Sequence, residues 1–264
     1  MTSVHDDVPT FPTDADSVLP VAVIGAHGRM GRTVVSAVEG AAGMRVAAAV
    51  DVGWSEEEVA ASGARVAVDF TTPAVTESTV HTLIDLGIHA VVGTTGWDGE
   101  ALGRVRKHAD ARAGIGVLIA PNFALGAVLA MRFAAVAGRY FDSAEVIELH
   151  HPNKVDAPSG TARHTAAAIA AARSSAHLGP VPDATTTGVD GARGAEVDGI
   201  RVHSVRLTGL IAHEEILFGN PGEQLTVRHD SFDRASFMPG VLLGVREVAR
   251  HPGLTVGLDA YLDL

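Results

Sequence analysis

Two histidines, a lysine and a Ser-Gly-Thr turn are crowded into residues 148–162, Glu148-Leu-His-His-Pro-Asn-Lys-Val-Asp-Ala-Pro-Ser-Gly-Thr-Ala162. His150 and His151 close an apolar run that reads as a strand, and Lys154 follows in a Pro/Asn loop. Ser159-Gly-Thr161 then opens an Ala-rich stretch, 162–173, that reads as a helix. Imidazole exchanges a proton near neutral pH. The unpaired N–H groups at a helix start lie at the positive end of its dipole and suit a carboxylate or phosphate. A proton donor therefore stands beside an anion seat. Adjacent strand residues point to opposite faces, so His150 and His151 do not converge on one metal without distortion, and no metal site is expected. Read alone, the segment also fits a structural loop capped by Ser159. The rest of the chain decides.

The 264 residues are enough for one large or two modest domains. The absence of cysteine excludes disulfides, thiolate catalysis and Cys-ligated metals. A formal charge of −11 argues against a general nucleic-acid-binding role, so an anionic ligand needs a local basic pocket. No apolar run approaches membrane-spanning length, and the start lacks a basic region followed by an apolar one. A cytoplasmic protein without membrane or nucleic-acid partners is expected.

Elements must position that segment. Residues 1–19, with Pro9, Pro12 and several aspartates, have the composition of a disordered leader. From Pro20, apolar runs at 21–24, 44–51, 66–70, 89–92 and 117–120 alternate with helical stretches at 29–39, 76–86 and 100–113. That alternation predicts βαβ units and a Rossmann-type, doubly wound parallel sheet. Beyond Pro121 come a helix at 124–137, the strand 143–150, the Ala-rich helix and a polar stretch, 179–199. Runs at 200–207, 214–218 and 224–229, separated by turns such as Gly219-Asn-Pro-Gly222, read as an antiparallel meander. A last helix at 237–250 has the periodicity to pack on the first sheet. The expected organisation is a dinucleotide-binding domain at 20–124, completed by 235–264, around an α+β substrate and oligomerisation domain at 125–234 with a mostly antiparallel sheet.

Directly after the first strand stands Gly25-Ala-His-Gly-Arg-Met-Gly31, a glycine turn opening a helix, suited to a pyrophosphate but weak as a signal by itself. The second strand ends in Asp51, placed to accept hydrogen bonds from an adenosine ribose. Asp51 opposes a 2′-phosphate and Val52 adds no positive charge, whereas Arg29 and a protonated His27 offset the repulsion, so NADH or NADPH is expected with NADH at least as good. Gly93-Thr-Thr-Gly96 and Ala120-Pro-Asn-Phe123 each follow a strand, at the sheet edge where nucleotides bind.

Together these residues resemble the dihydrodipicolinate (4-hydroxy-tetrahydrodipicolinate) reductase family of lysine and diaminopimelate biosynthesis. The resemblance rests on the Gly25–Gly31 turn, Asp69-Phe-Thr-Thr-Pro73, Gly93-Thr-Thr95, Ala120-Pro-Asn-Phe123, His203-Ser-Val-Arg206, the 222–230 strand and above all the specific motif H-H-x-x-K-x-D-A-P-S-G-T-A. It runs from about Pro20 to the C-terminus. It implies NAD(P)H-dependent reduction of 4-hydroxy-tetrahydrodipicolinate, a cyclic dicarboxylate, with His150 as catalytic proton donor and acceptor and Lys154 as a second donor. His151, Lys154, Ser159, Gly160 and Thr161 would bind substrate. Gly25, Ala26, His27, Gly28, Arg29, Met30, Asp51, Gly93, Thr94, Thr95, Ala120, Pro121, Asn122 and Phe123 would contact the dinucleotide. The resemblance further implies a homotetramer, and the two-domain reading implies closure on hinges near 120–125 and 229–236. His27 departs from the family's usual Gly or Lys, and Ala124 from its Ser.

Two other readings share the nucleotide end. A different two-domain dehydrogenase, acting on an amino acid or a sugar, has no need of a Ser-Gly-Thr seat after H-H-x-x-K. A non-catalytic NAD(P)H-binding regulator would keep the glycine turn and lose the acid.

Overall fold

The computed structural model describes residues 18–51 and 53–262. The expectations for the leader, apart from its last two residues, and for Val52 lie outside the described residues. Leu19, expected at the end of the leader, begins the first strand instead.

The first part alternates strand and helix: β1 (Leu19–Ile24), α1 (Arg29–Gly40), β2 (Met44–Val50), α2 (Glu56–Ala61), β3 (Val66–Asp69), α3 (Thr76–Asp85), β4 (His89–Val92), α4 (Gly99–Ala111) and β5 (Gly116–Ile119). Next come α5 (Leu125–Ala137), β6 (Ser143–His150), α6 (Gly160–Ser175), β7 (Ala195–Val197), β8 (Ile200–Arg206), β9 (Ala212–Asn220) and β10 (Glu223–Ser231). The chain then returns through α7 (Met238–Glu247), a 3₁₀ turn at Val248–Arg250 and β11 (Gly253–Val256).

The first sheet is six-stranded and parallel, in the order β11-β5-β4-β3-β1-β2. Its strands are apolar on both faces because helices cover both. In β1, Val21 and Val23 enter one buried cluster with α1 and α7, while Ala22 and Ile24 enter another with α3 and α4. The chain runs outward from β1 to β2 and then crosses to β3 on the opposite side. A crevice therefore opens at the carboxyl ends of β1 and β3, the usual ligand position in such sheets.

The second sheet has five strands in the order β10-β9-β6-β8-β7. The expected meander is corrected here: β8 runs parallel to β6, and β6 lies between β8 and β9. The cause is α6, a crossover long enough to return the chain in the direction it left. The other pairings are antiparallel. Ala144, Val146, Ile216 and Phe218 pack under α5 and α6 with Ala166 and Ile169. Because strand residues alternate faces, Glu148 shares the inward face with Ala144 and Val146.

Candidate active site

The acid end is built from one pleat of β6. Glu148 is fully buried, and its Oε2 lies 2.5 Å from His150 Nδ1, two residues on along the same face. Arg206, the last residue of β8 and the register partner of His150, reaches both carboxylate oxygens at 2.8 Å, a bidentate pair. The Ser159 N–H adds a further donor at 3.1 Å. Burial alone would raise the Glu148 carboxyl, but the bonds from His150 and Arg206 outweigh it and hold it down to about 2. Glu148 is thus ionised, fixes the Nδ1–H of His150, and leaves Nε2 to the cleft.

The expected anion seat is the start of α6. Ser159 is its N-cap, with Oγ accepting the Ala162 N–H at 3.2 Å, and is itself buried. Ser159 is therefore both the cap and a lining residue of the cleft. Lys154 Nζ donates to Asp156 Oδ1 at 2.6 Å. Burial opposes ionisation of Asp156, yet Lys154 and the Gly160 N–H together keep its carboxyl below its ordinary value. The donors of this turn thus already stabilise a carboxylate. His151 Nδ1 is buried without a hydrogen-bond partner. Burial pushes the His151 imidazole down, and the nearby positive charges of His150, Arg234, Arg29 and Lys154 push it the same way. An unpartnered imidazole nitrogen among cationic neighbours is a surrounding that an anion relieves.

The expected nucleotide turn joins β1 to α1. Gly25 has φ +83°, and a Cβ there would lie 2.5 Å from the Phe70 carbonyl oxygen. A Cβ on Gly31 would lie 2.0 Å from the Gly25 carbonyl oxygen, so only glycine lets α1 approach the strand this closely. The N-cap of α1, Gly28, offers no side-chain acceptor, and no acid stands in the first turn. Its leading N–H groups are left for an anionic ligand, and a dinucleotide pyrophosphate fits them. Asp51 Oδ2 accepts the His27 N–H at 3.0 Å, which ties the end of β2 to this turn.

Between the two ends lies one cleft of about 460 Å³. Met30, Gly93, Thr95 and Ala120 to Phe123 line one wall, and His150, His151, Lys154, Ser159, Gly160 and Thr161 line the other. Gly28, Arg29 and Thr94 line an adjoining cavity that shares Met30, Gly93 and Thr95 with it. Gly25 and Ala26 are buried beneath the turn, and exposed His27 stands with Asp51 on its outer side. Asn122 Nδ2 donates to Thr161 Oγ1 at 3.3 Å, a bond between the walls. His150 and His151 both face this cleft because the strand ends at His150.

Several residues without a role in the sequence reading belong to the site. The i, i+2 spacing of Glu148 and His150 at a strand end was the available signal for Glu148. Arg206 stands in the His203-Ser-Val-Arg206 motif already noted, but it is 58 positions from Glu148 and nothing in the sequence links the two. Arg234 lines both the cleft and the adjoining cavity from a 3₁₀ turn that follows β10.

A glycine turn at the switch point of a parallel sheet, facing an oriented imidazole and an anion seat, defines a two-domain NAD(P)H-dependent oxidoreductase. The family model described as "Dihydrodipicolinate reductase, N-terminus" matches residues 19–123, and "Dihydrodipicolinate reductase, C-terminus" matches 126–262. The chain belongs to the dihydrodipicolinate reductase family. It is 68% identical over 246 residues to the 4-hydroxy-tetrahydrodipicolinate reductase of Beutenbergia cavernae, covering 92% of this chain and 98% of that one. The enzyme of that name from Nocardia farcinica is 59% identical over 244 residues, with 92% and 98% coverage. Among solved structures, the dipicolinate-bound dihydrodipicolinate reductase from Paenisporosarcina sp. TG-14 superposes with a TM-score of 0.80 at 36% identity, covering 93% of this chain and all of that one.

Proposed function

We propose that this chain reduces 4-hydroxy-tetrahydrodipicolinate to tetrahydrodipicolinate with NADH or NADPH, His150 serving as general acid. The observation that carries the reading is the buried, ionised Glu148, which holds His150 beside the α6 anion seat in a cleft whose opposite wall is the nucleotide turn. The substrate gains a hydride and a proton and loses its hydroxyl as water. Gly25 to Met30, Gly93 to Thr95 and Ala120 to Phe123 would hold the reduced nicotinamide cofactor, which would supply the hydride.

The chain's own groups do the rest. The Gly160 and Thr161 N–H groups and Lys154 hold the substrate carboxylates, with His151 in contact. His150 delivers the proton from Nε2, and Glu148 stabilises the imidazole throughout. Lys154, drawn from Asp156 to the substrate, holds anionic charge and is the second proton donor. Asp51 favours NADH, while Arg29 offsets its repulsion of a 2′-phosphate. The proposed frame is a nucleotide domain at 20–124 with 235–264 and a substrate domain at 125–234, closing on hinges at 120–125 and 229–236.

We place the enzyme in the cytoplasm as a homotetramer built through the second sheet. In support, β10 leaves most of its residues exposed at the sheet edge, Leu225 included, and no helix among the described residues is long and apolar enough to cross a membrane. Light scattering on the eluted protein measures the assembly. Steady-state kinetics with both cofactors on enzymatically generated substrate tests the activity, and absence of oxidation with either cofactor overturns it.

A further inference from the structure

Glu214 lies in the middle of the second sheet, 5% exposed, and has no part in the chemistry above. In register it faces Glu148 across the β6–β9 pair and His229 across the β9–β10 pair, so all three share the face covered by α5 and α6. Oε1 is buried without a hydrogen-bond partner, and Oε2 lies 3.1 Å from Thr165 Oγ1. Thr165 stands in the second turn of α6, and its hydroxyl is also 3.1 Å from the Thr161 carbonyl. A hydroxyl has one hydrogen, and a carbonyl can only accept. Both contacts are satisfied when Glu214 carries the second hydrogen and donates it to Thr165, while Thr165 donates to Thr161.

The surroundings agree. From β6 come the His150 imidazole and Glu148, which is ionised; from β9 itself, His213, whose Nδ1 meets Asp230 of β10 at 2.7 Å; from β10, His229 and Ser231. From α6 come Thr161 and Thr165, and from the loop before α5, Asn122. Arg206, on the far side of Glu148's strand, is committed to Glu148. Burial first, then the charge of Glu148, push the Glu214 carboxyl up to about 7, against the hydrogen bond with Thr165, which pulls it down. A cavity of about 20 Å³, bordered by Glu214, His150, Ser159 and Thr161, sets this acid directly behind the anion seat.

We propose that Glu214 is a positioning residue for the substrate carboxylate: as a neutral acid it braces the first turns of α6 through Thr165, and as a carboxylate it repels the anionic ligand. The inference rests on the reading of Gly160–Thr161 as the carboxylate seat. Its consequence is that a dicarboxylate entering the cleft above neutral pH brings a proton onto Glu214.

The probe is dipicolinate, titrated calorimetrically into the full-length protein with saturating NADH from pH 6 to 9, in buffers of different ionisation heat. At pH 6, wild type and E214Q should bind within about twofold of each other. By pH 9, wild type should have lost about tenfold more affinity than E214Q, the scale of one buried charge acting across several ångströms. Wild type should also take up more protons on binding than E214Q does. Parallel pH profiles and equal proton uptake, with dipicolinate still bound, overturn the role of Glu214 alone. Failure of dipicolinate to bind at any pH overturns the seat, and this inference with it. Carbon-13 NMR of glutamate-labelled wild type needs no variant: a carboxyl titrating near neutrality supports the proposal, and complete ionisation of every glutamate by pH 6 overturns it.

Discussion

Glu148 and His150 stand one pleat apart on the same face of β6, and the 2.5 Å between Oε2 and Nδ1 fixes which imidazole nitrogen faces the ligand. Arg206 closes on the carboxylate from the next strand, so the orientation of the acid is set by two strands together.

Replacing Glu148 with glutamine keeps the shape of that side chain and removes its charge. Turnover should fall by about 100- to 10,000-fold, the scale for general acid catalysis and for losing the carboxylate that orients a catalytic imidazole. NADH affinity should be unchanged. The same variant leaves Arg206 facing a neutral amide, so its thermal midpoint should also drop. Kinetics and melting curves on one preparation report both effects.

His150→Ala and Lys154→Ala should each lower kcat by at least about 100-fold, the range of general acid catalysis. Cofactor binding, followed by NADH fluorescence, should survive. Near-wild-type turnover in either variant removes that residue from the chemistry.

Arg234 borders both the proposed dicarboxylate end and the proposed nucleotide end of the cleft. Arg234→Ala should weaken dipicolinate binding by roughly tenfold or more, the value of a charge-assisted hydrogen bond. It should also flatten the dependence of binding on salt. Affinity measured at low and moderate ionic strength separates this from a loss of packing.

Two buried glutamates give the fold opposite pH responses. Glu148 is held at about 2 in the folded chain against an ordinary 4.5, so its stabilisation is present above 4.5 and is lost as pH falls toward 2. Glu214 is raised to about 7, so its stabilisation is full below 4.5 and is lost as pH rises through 7. E214Q should therefore match wild type in melting temperature near pH 4 and exceed it above pH 7. A constant difference across that range contradicts the assignment.

Local patterning made the first domain legible. Val21-Ala-Val-Ile24 followed by the glycine turn announces a strand, a turn and a helix within a dozen residues, and each of these is decided by near neighbours. Strand order is not local. The β-branched run of β8 looks the same whether it pairs with β6 or with β9, and only the length of the α6 crossover favours the parallel choice. The short run Gly253–Val256 lies beyond the helix expected at 237–250, and four residues carry too little periodicity to announce a strand. In the site, His150, Lys154 and the Ser-Gly-Thr turn lie on one contiguous segment and could be read together. Arg206, Glu214 and Arg234, which surround that segment, come from β8, from β9 and from the turn after β10, where only the fold brings them near.

The late strand β11 pairs with β5, whose four residues are buried and apolar. Until residues 253–256 have left the ribosome, β5 is an open sheet edge with its backbone groups unpaired. The nucleotide domain, although encoded first, is therefore finished last, after the whole second domain has been made. During synthesis the nascent chain carries a sticky border that invites pairing with a neighbour, and truncations that stop short of Gly253 retain it for good.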